Sequence, residues 1–171
     1  MDFNQNYFEI FGLPIDFKVD IELLGNRYRN LQRELHPDKF VRGTEHEKRL
    51  SMQWSSLLNT ANETLRMPLS RAIYMLEQKG LNVDSNPQLP PDLLIKQIEL
   101  REELETLEED AAGLDGLDGF KKRLHRSMTN LGEAFADSVN DEKALTVVYE
   151  MQFLAKVLVA ADQLEEKLLD Y

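Results

Sequence analysis

Apolar residues recur at helical spacing along almost the whole of this 171-residue chain. One early stripe contains Leu24, Tyr28, Leu31 and Leu35, whose intervals of three and four place them on one face of a helix. No segment of the sequence shows the strict alternation of apolar and polar residues that indicates a half-buried strand. The pattern therefore predicts an all-α protein.

Helix-starting and helix-ending residues divide the first half of the chain into four helices. Asp20 is placed to cap the helix with the first stripe, and Thr44 with Glu47 forms a capping box at the start of the next one. Pro68 suits the first turn of a fourth helix, and Gly80 suits its C-terminal cap. The third helix carries its own predicted core stripe: Leu50, Trp54, Leu57, Ala61 and Leu65.

A polar, proline-containing stretch separates this half from the next. The residues from Asn82 to Pro91 show little periodicity, which is typical of a linker. Three longer amphipathic helices follow, over residues 91–111, 117–138 and 141–169, with breaks at a glycine cluster and at Asn140. Such helices with short connections predict a three-helix antiparallel bundle. The predicted organisation is a first domain at 1–80, a linker at 81–91 and a bundle at 92–171.

Composition limits the classes of partner and of site. The net charge is -11, with 20 Lys and Arg against 31 Asp and Glu, which argues against nucleic acid as the main partner. The absence of cysteine excludes disulfides and thiolate ligands for zinc or for an iron–sulfur cluster. The N-terminus lacks the basic start and apolar run of a signal peptide, and no segment approaches the ~20 apolar residues that span a bilayer. We expect a cytoplasmic protein that binds other proteins.

The tripeptide His36-Pro37-Asp38 ends the second predicted helix and opens a short loop. Proline disfavours helical geometry at the residue before it, so the helix should end near His36. Four cations surround the tripeptide in this acidic chain: Arg27, Arg33, Lys39 and Arg42. A local basic patch of this kind indicates a docking surface. The alternative is that Pro37 only stops a helix, Asp38 makes a local turn bond and the cations are a solvated face.

The order short helix, helix, His-Pro-Asp, helix, short helix resembles the J-domain of DnaJ-type co-chaperones. The matching segments are Tyr7-Phe8, Phe11 to Leu13, Tyr28 to Phe40, Asn59, Ala61, Leu65 and Arg71 to Tyr74. The resemblance implies an antiparallel helical hairpin with flanking short helices, which docks on a DnaK-type chaperone and accelerates its ATP hydrolysis. It implies chaperone-binding roles for His36, Pro37 and Asp38, supported by Arg27, Lys39 and Arg42.

The first helix of the predicted bundle is apolar on two sides. At ~100° per residue, one side carries a core stripe of Leu93, Leu100, Leu104, Leu107 and Ala111. Leu94, Ile95 and Ile98 lie towards the opposite side, together with Glu99 and Glu102. An apolar patch with an acidic rim indicates a site for a basic protein surface. Two alternatives remain: the patch packs on the first domain, or these are scattered surface aliphatics.

The segments Ile98 to Leu104 and Gln163 to Tyr171 resemble the C-terminal domain of the HscB family, the co-chaperones of iron–sulfur cluster assembly. Together with the J-domain, this resemblance covers essentially the whole chain. It implies that the bundle binds an IscU-like scaffold protein and presents it to an HscA-like chaperone. The scaffold-binding residues that it implies are Leu94, Ile95, Ile98, Glu99, Glu102 and Phe153. Phe153 lies about 100° off the core stripe of its helix, so it borders the patch or wedges between helices.

The sequence contains no arrangement that predicts catalysis or a bound cofactor. His46 and His125 have no second ligand at metal spacing, and there is no glycine-rich phosphate loop. We therefore predict a co-chaperone without catalytic residues, metal or cofactor of its own. One alternative is a J-domain protein whose bundle binds a different basic client. Another is a small enzyme that uses His36 and Asp38.

Overall fold

The computed structural model describes residues 4–85, 87–109 and 113–169. All regular structure in these ranges is helical, so the predicted all-α class is confirmed. The chain divides into two compact units, the first ending at Met75 and the second beginning at Leu76. The sequence predictions for Ala111, Asp170 and Tyr171 lie outside the described residues.

The first unit is built on a helical hairpin. Its elements are α1 (Tyr7–Ile10), α2 (Ile21–Leu35), a 3-10 helix (Pro37–Phe40), α3 (Glu45–Arg66) and most of α4 (Pro68–Gln78). The predicted caps are confirmed: Asp20 Oδ1 accepts the Leu23 N–H at 2.9 Å, and Thr44 Oγ1 accepts the Glu47 N–H at 3.3 Å. Glu47 Oε2 in turn accepts the Thr44 N–H at 2.7 Å. These bonds satisfy backbone donors that have no partner inside a helix.

The core of the first unit lies between α2 and α3. Leu24 is buried, and the other three members of the predicted α2 stripe pack against this core as partly buried residues. On α3 the prediction is off by one position, because Leu58 is fully buried and Leu57 only flanks the core. Both leucines lie within one turn of Trp54 and Ala61, so spacing alone did not separate them.

Two side chains tie the short helices of this unit together. Tyr74 stacks on Tyr7 with ring centroids 4.3 Å apart, and its hydroxyl oxygen accepts the Tyr7 N–H at 2.9 Å. Arg71 is buried, donates to the Leu65 carbonyl at 2.7 Å and lies over the Phe17 ring. Burial lowers the pKa of Arg71 and raises that of Tyr74, since each charged form loses its hydration.

The second unit is a three-helix bundle of α5 (Pro91–Glu109), α6 (Gly113–Ala136) and α7 (Asp141–Leu169). Its fully packed residues come from α6 and α7: Leu117, Phe120, Leu124, Leu154, Val157, Ala161 and Leu164. Helix α5 contributes only partly buried leucines, namely Leu100, Leu104 and Leu107. The predicted break at the glycine cluster is wrong in part, because α6 begins at Gly113 and includes Gly116. A Cβ on Gly116 would lie 2.5 Å from Leu107 Cδ2, so glycine serves close packing of α5 on α6 there.

Ion pairs between helices fix the direction of each one. Lys96 pairs with Glu150, and Lys167 pairs with Glu108, so α5 and α7 run parallel. Lys121 on α6 contacts Asp162 at 2.6 Å and Glu165 at 2.8 Å on α7. These two carboxylates raise the pKa of Lys121 to about 12. Arg123 of α6 pairs with Glu103 of α5, and Gly116 lies against Leu107, so α6 runs antiparallel to α5.

Within the described residues, α7 is the one helix that is long and apolar enough to cross a membrane by length and composition. The expectation that no segment approaches this limit is therefore wrong for α7. Nine of its described side chains are buried, and Leu154, Val157 and Ala161 belong to the core of the bundle. A helix that is buried over much of its circumference needs apolar residues there, so the composition reflects core packing.

Candidate functional site

The predicted chaperone-binding tripeptide lies at the turn between α2 and α3. His36 is the C-terminal cap of α2 with extended backbone angles, as expected before proline. Pro37 begins the 3-10 helix, in which the Lys39 N–H donates to the His36 carbonyl at 3.0 Å. The Asp38 side chain is 87% exposed and the His36 side chain 52% exposed. A tight local fold thus presents both polar groups to solvent.

A side-chain bond inside the tripeptide positions its imidazole. His36 Nδ1 accepts the backbone N–H of Asp38 at 3.2 Å. Asp38 Oδ2 lies 3.5 Å from the same nitrogen. The Asp38 carboxylate stays available to an external donor.

The predicted supporting cations fall into two groups. Lys39 and Arg42 are exposed on the loop, next to the tripeptide. Arg27 lies nine residues before His36, or about 13 Å along the helix. Its guanidinium donates to the Phe11 carbonyl at 2.5 Å and also to the Gly12 carbonyl.

The hydrogen bonds of its guanidinium give Arg27 a role other than the predicted one. Gly12 has a φ of +60°, and a Cβ there would lie 3.0 Å from Arg27 Nη1. The arginine therefore fastens the end of α1 to α2, which is a structural role that spacing did not reveal. We accordingly describe the exposed cationic surface at the tip by Lys39 and Arg42.

The predicted apolar patch is present on the outer side of α5. Leu94, Ile95 and Ile98 are 46%, 56% and 56% exposed. The leucines of the opposite side pack against the bundle core, and no described residue of α5 is fully buried. The two-sided character of this helix is thus a property of the folded molecule. We call Leu94, Ile95 and Ile98 the α5 patch.

Some carboxylates of α5 form ion pairs with other helices, whereas others are exposed to solvent. Glu103 and Glu108 pair with cations of α6 and α7. Glu99 and Glu102, beside the α5 patch, are exposed and form no ion pair within the described residues. These two acids therefore leave uncompensated negative charge at the edge of an apolar surface.

Phe153 wedges between helices, which is one of its two predicted positions. Its side chain is only 6% exposed and belongs to the core of the bundle. It also lines a groove of about 170 Å³ between α5 and α7, and its role in binding a partner stays a prediction. Leu94 lines the same groove, so the groove opens directly from the α5 patch.

Sequence reasoning missed the polar side chains of this groove, among them Arg101, Gln152 and Lys156. Arg101 lies close to Leu94 on the surface of α5, and the other two lie on α7. A signal for Arg101 existed, since it follows Leu94 by seven residues on the same line of the helix. No signal linked it to α7, because that contact depends on how the bundle packs.

The structure offers no support for a metal centre. Among the described residues there is no group of three or more His, Asp or Glu side chains that would hold a metal ion. His36 is near one carboxylate, Asp38, and its Nδ1 is occupied by a backbone N–H. The arrangement at both sites suits recognition of protein surfaces.

Comparisons with known proteins agree with this organisation. Residues 89–162 match a family model described as the HSCB C-terminal oligomerisation domain. The chain is similar to the solved structure of chaperone HscB from Vibrio cholerae, with 31% identity and a TM-score of 0.84 over 96% of this chain and 99% of that one.

It is also similar to the crystal structure of the human co-chaperone protein HscB. The identity is 28% and the TM-score 0.85, over 95% of this chain and 83% of that one. The two matches span both units, and the family model covers most of the bundle. This chain belongs to the HscB family of co-chaperones.

Proposed function

We propose that this co-chaperone acts in iron–sulfur cluster assembly by docking two partners at once. Through His36, Pro37 and Asp38 it stimulates the ATPase of an HscA-like chaperone of the DnaK type. Through the α5 patch it binds an IscU-like scaffold protein. The exposure of Leu94, Ile95 and Ile98 on a helix whose other side is packed is the observation that carries this proposal.

The geometry of the tip supports the first half of the proposal. An exposed carboxylate can accept two parallel hydrogen bonds from an arginine of the chaperone, which gives orientation as well as affinity. Lys39 and Arg42 add positive charge that attracts an acidic surface over a long range. Pro37 and the local hydrogen bonds keep the loop in one shape, so little entropy is lost on docking.

The chemistry of the α5 patch supports the second half. Three half-exposed aliphatic side chains provide apolar area that is removed from water when a partner covers it, which favours binding. Glu99 and Glu102 remain unpaired among the described residues, so a basic rim on the partner would neutralise them. Such a surface, apolar in the centre and charged at the edge, has the usual anatomy of a protein interface.

One molecule that holds both partners has a kinetic advantage. The scaffold protein is kept near the chaperone, so its second encounter becomes intramolecular and its effective concentration rises. The co-chaperone needs no catalytic group of its own for this role. We expect no ATP hydrolysis by the isolated chain, and we place its work in the cytoplasm.

The test is an ATPase assay with purified chaperone, scaffold protein and this chain, each omitted in turn. We expect stimulation of the chaperone by this chain alone and further stimulation when the scaffold protein is added. Stimulation that does not increase when the scaffold protein is added would contradict the proposed binding of the scaffold protein. Absence of stimulation under all conditions would contradict the proposed role of the tip.

Self-association of the second unit is another candidate use of the bundle, because the matching family model is described as an oligomerisation domain. Sedimentation velocity of the wild type and of a variant with Leu94→Ala and Ile98→Ala tests it. A dimer that dissociates in the variant would assign the α5 patch to pairing of copies. A different basic client remains the alternative cargo, and capture of the scaffold protein in competition with a cell extract distinguishes the two.

A further inference from the structure

The groove beside the α5 patch offers a second recognition surface, whose charge is opposite to that of the acidic rim. At 100° per residue, Leu94 and Arg101 lie within about 20° of each other on α5, whereas Glu99 and Glu102 lie about 80° to 140° round the other way. The patch therefore has carboxylates along one edge and a cation along the other.

Helix α7 supplies the opposite wall of the groove. Gln152 and Lys156 lie one turn apart on α7, and both line the groove with Arg101. Phe153 forms part of its apolar lining. The volume of about 170 Å³ is well below the roughly 300–1,000 Å³ of small-molecule sites, so the groove suits one inserted side chain of a protein.

The two cations of the groove have few partners among the described residues. Arg101 forms no hydrogen bond or ion pair with any described residue, although the chain has 31 acidic side chains. Lys156 Nζ has one contact in the described ranges, a long 3.5 Å approach to the Ser85 carbonyl.

We infer that this groove receives an acidic side chain of the scaffold protein, so that Arg101 and Lys156 pair with its carboxylate. The inference deepens the proposed function and rests on it. It assigns the scaffold a surface with basic residues that face Glu99 and Glu102, and an acidic residue that enters the groove. The two edges together fix the orientation of the scaffold, because a reversed partner would place like charges in contact.

Titration calorimetry with an IscU-like scaffold protein tests the charge requirement. We expect Arg101→Glu and Lys156→Glu each to weaken binding roughly tenfold, since a repulsive charge replaces an attractive one. Arg126→Glu is the matched control, because Arg126 is an exposed arginine of α6 without a partner among the described residues. It should change the Kd by less than about twofold. Unchanged binding by Arg101→Glu and Lys156→Glu would overturn the inference.

The variant with Leu94→Ala and Ile98→Ala separates the failure of this inference from the failure of the proposed function. If that variant loses affinity and the groove variants do not, the scaffold binds the α5 patch without using the groove. If it binds as tightly as the wild type, the cargo site itself is wrongly assigned.

Discussion

The tip of the first unit and the α5 patch of the second are exposed for different physical reasons. The tip is shaped by bonds between neighbours in sequence, such as the Asp38 N–H to His36 Nδ1 bond. The patch is presented by distant packing, because α5 turns Leu100, Leu104 and Leu107 towards α6 and α7. A site formed by neighbours in sequence can therefore be predicted from a few residues. The patch can be predicted only from the residue pattern of a whole helix.

The two sites also differ in what their partners must supply. Under the proposed function, one exposed carboxylate would carry the interaction at the tip, so its removal should abolish nearly all of the ATPase stimulation. On α5 several half-exposed aliphatic residues would share the binding, so removal of some of them should weaken it by degrees. The following substitutions test this contrast, in order of decreasing effect.

Asp38→Asn should reduce stimulation of the chaperone ATPase to the basal rate, because the amide cannot accept a bidentate bond from an arginine. The change removes charge from a side chain that is 87% exposed, so the fold and scaffold binding should be retained. Glu34→Gln, at an exposed acid one turn earlier on α2, is the control and should keep full stimulation. Substantial activity of Asp38→Asn in a steady-state ATPase assay would disprove the assigned role.

Leu58→Ala should lower the unfolding free energy of the first unit by about 3 kcal/mol, since it opens a cavity at a fully buried position. Trp54 is the only tryptophan of the chain and is buried on the same helix, so its fluorescence in urea reports this unit. Scaffold affinity should stay within about twofold of the wild type at low urea. A parallel loss of scaffold binding would mean that the two sites are not independent.

Leu94→Ala combined with Ile98→Ala should weaken scaffold binding by roughly thirtyfold, or about 2 kcal/mol, as apolar area at the interface is lost. Thermal stability should hardly change, because both side chains are about half exposed. Val139→Ala, at an apolar residue that is 88% exposed outside the patch, serves as control. Calorimetry that gives equal affinities for the double variant and the control would remove the cargo site from α5.

Glu47→Gln should produce the smallest effect, a slightly lower unfolding midpoint near pH 7 that disappears in acid. Hydrogen bonds from the Thr44 backbone and side chain lower the pKa of Glu47 below its ordinary value of 4.5. This contribution to stability is fully present above pH 4.5 and is lost as the pH falls through the lowered pKa. The unfolding midpoint of the wild type, followed through Trp54 between pH 3 and 6, should therefore fall more steeply than that of the variant. Identical slopes would show that the negative charge of Glu47 does not contribute to stability through the capping box.

Local rules of helix formation were sufficient for much of the fold. Asp20 and Thr44 cap the helices as predicted, and proline at position 37 ends α2 at Leu35. The outward position of the α5 patch also followed from helical spacing alone, because it depends only on angles along one helix. These features need no knowledge of any other element.

The errors arise where a residue's environment comes from another helix. Gly116 lies inside α6, where Leu107 of α5 packs closely on it, and Phe153 is buried among core residues of α6 and α7. Arg27 is engaged by carbonyls at the end of α1, which lie 15 or more residues away. The groove lined by Arg101 and Gln152 exists only once α5 and α7 are side by side.

The limited burial of helix α5 has a thermodynamic consequence for cargo binding. Its hold on the bundle consists of half-buried leucines and three ion pairs, with no fully buried side chain among its described residues. A cargo that covers its outer side would bury the helix from both directions. Loading and local folding are then linked equilibria, so that cargo binding must stiffen the helix, and release of the cargo must loosen it by the same amount of free energy.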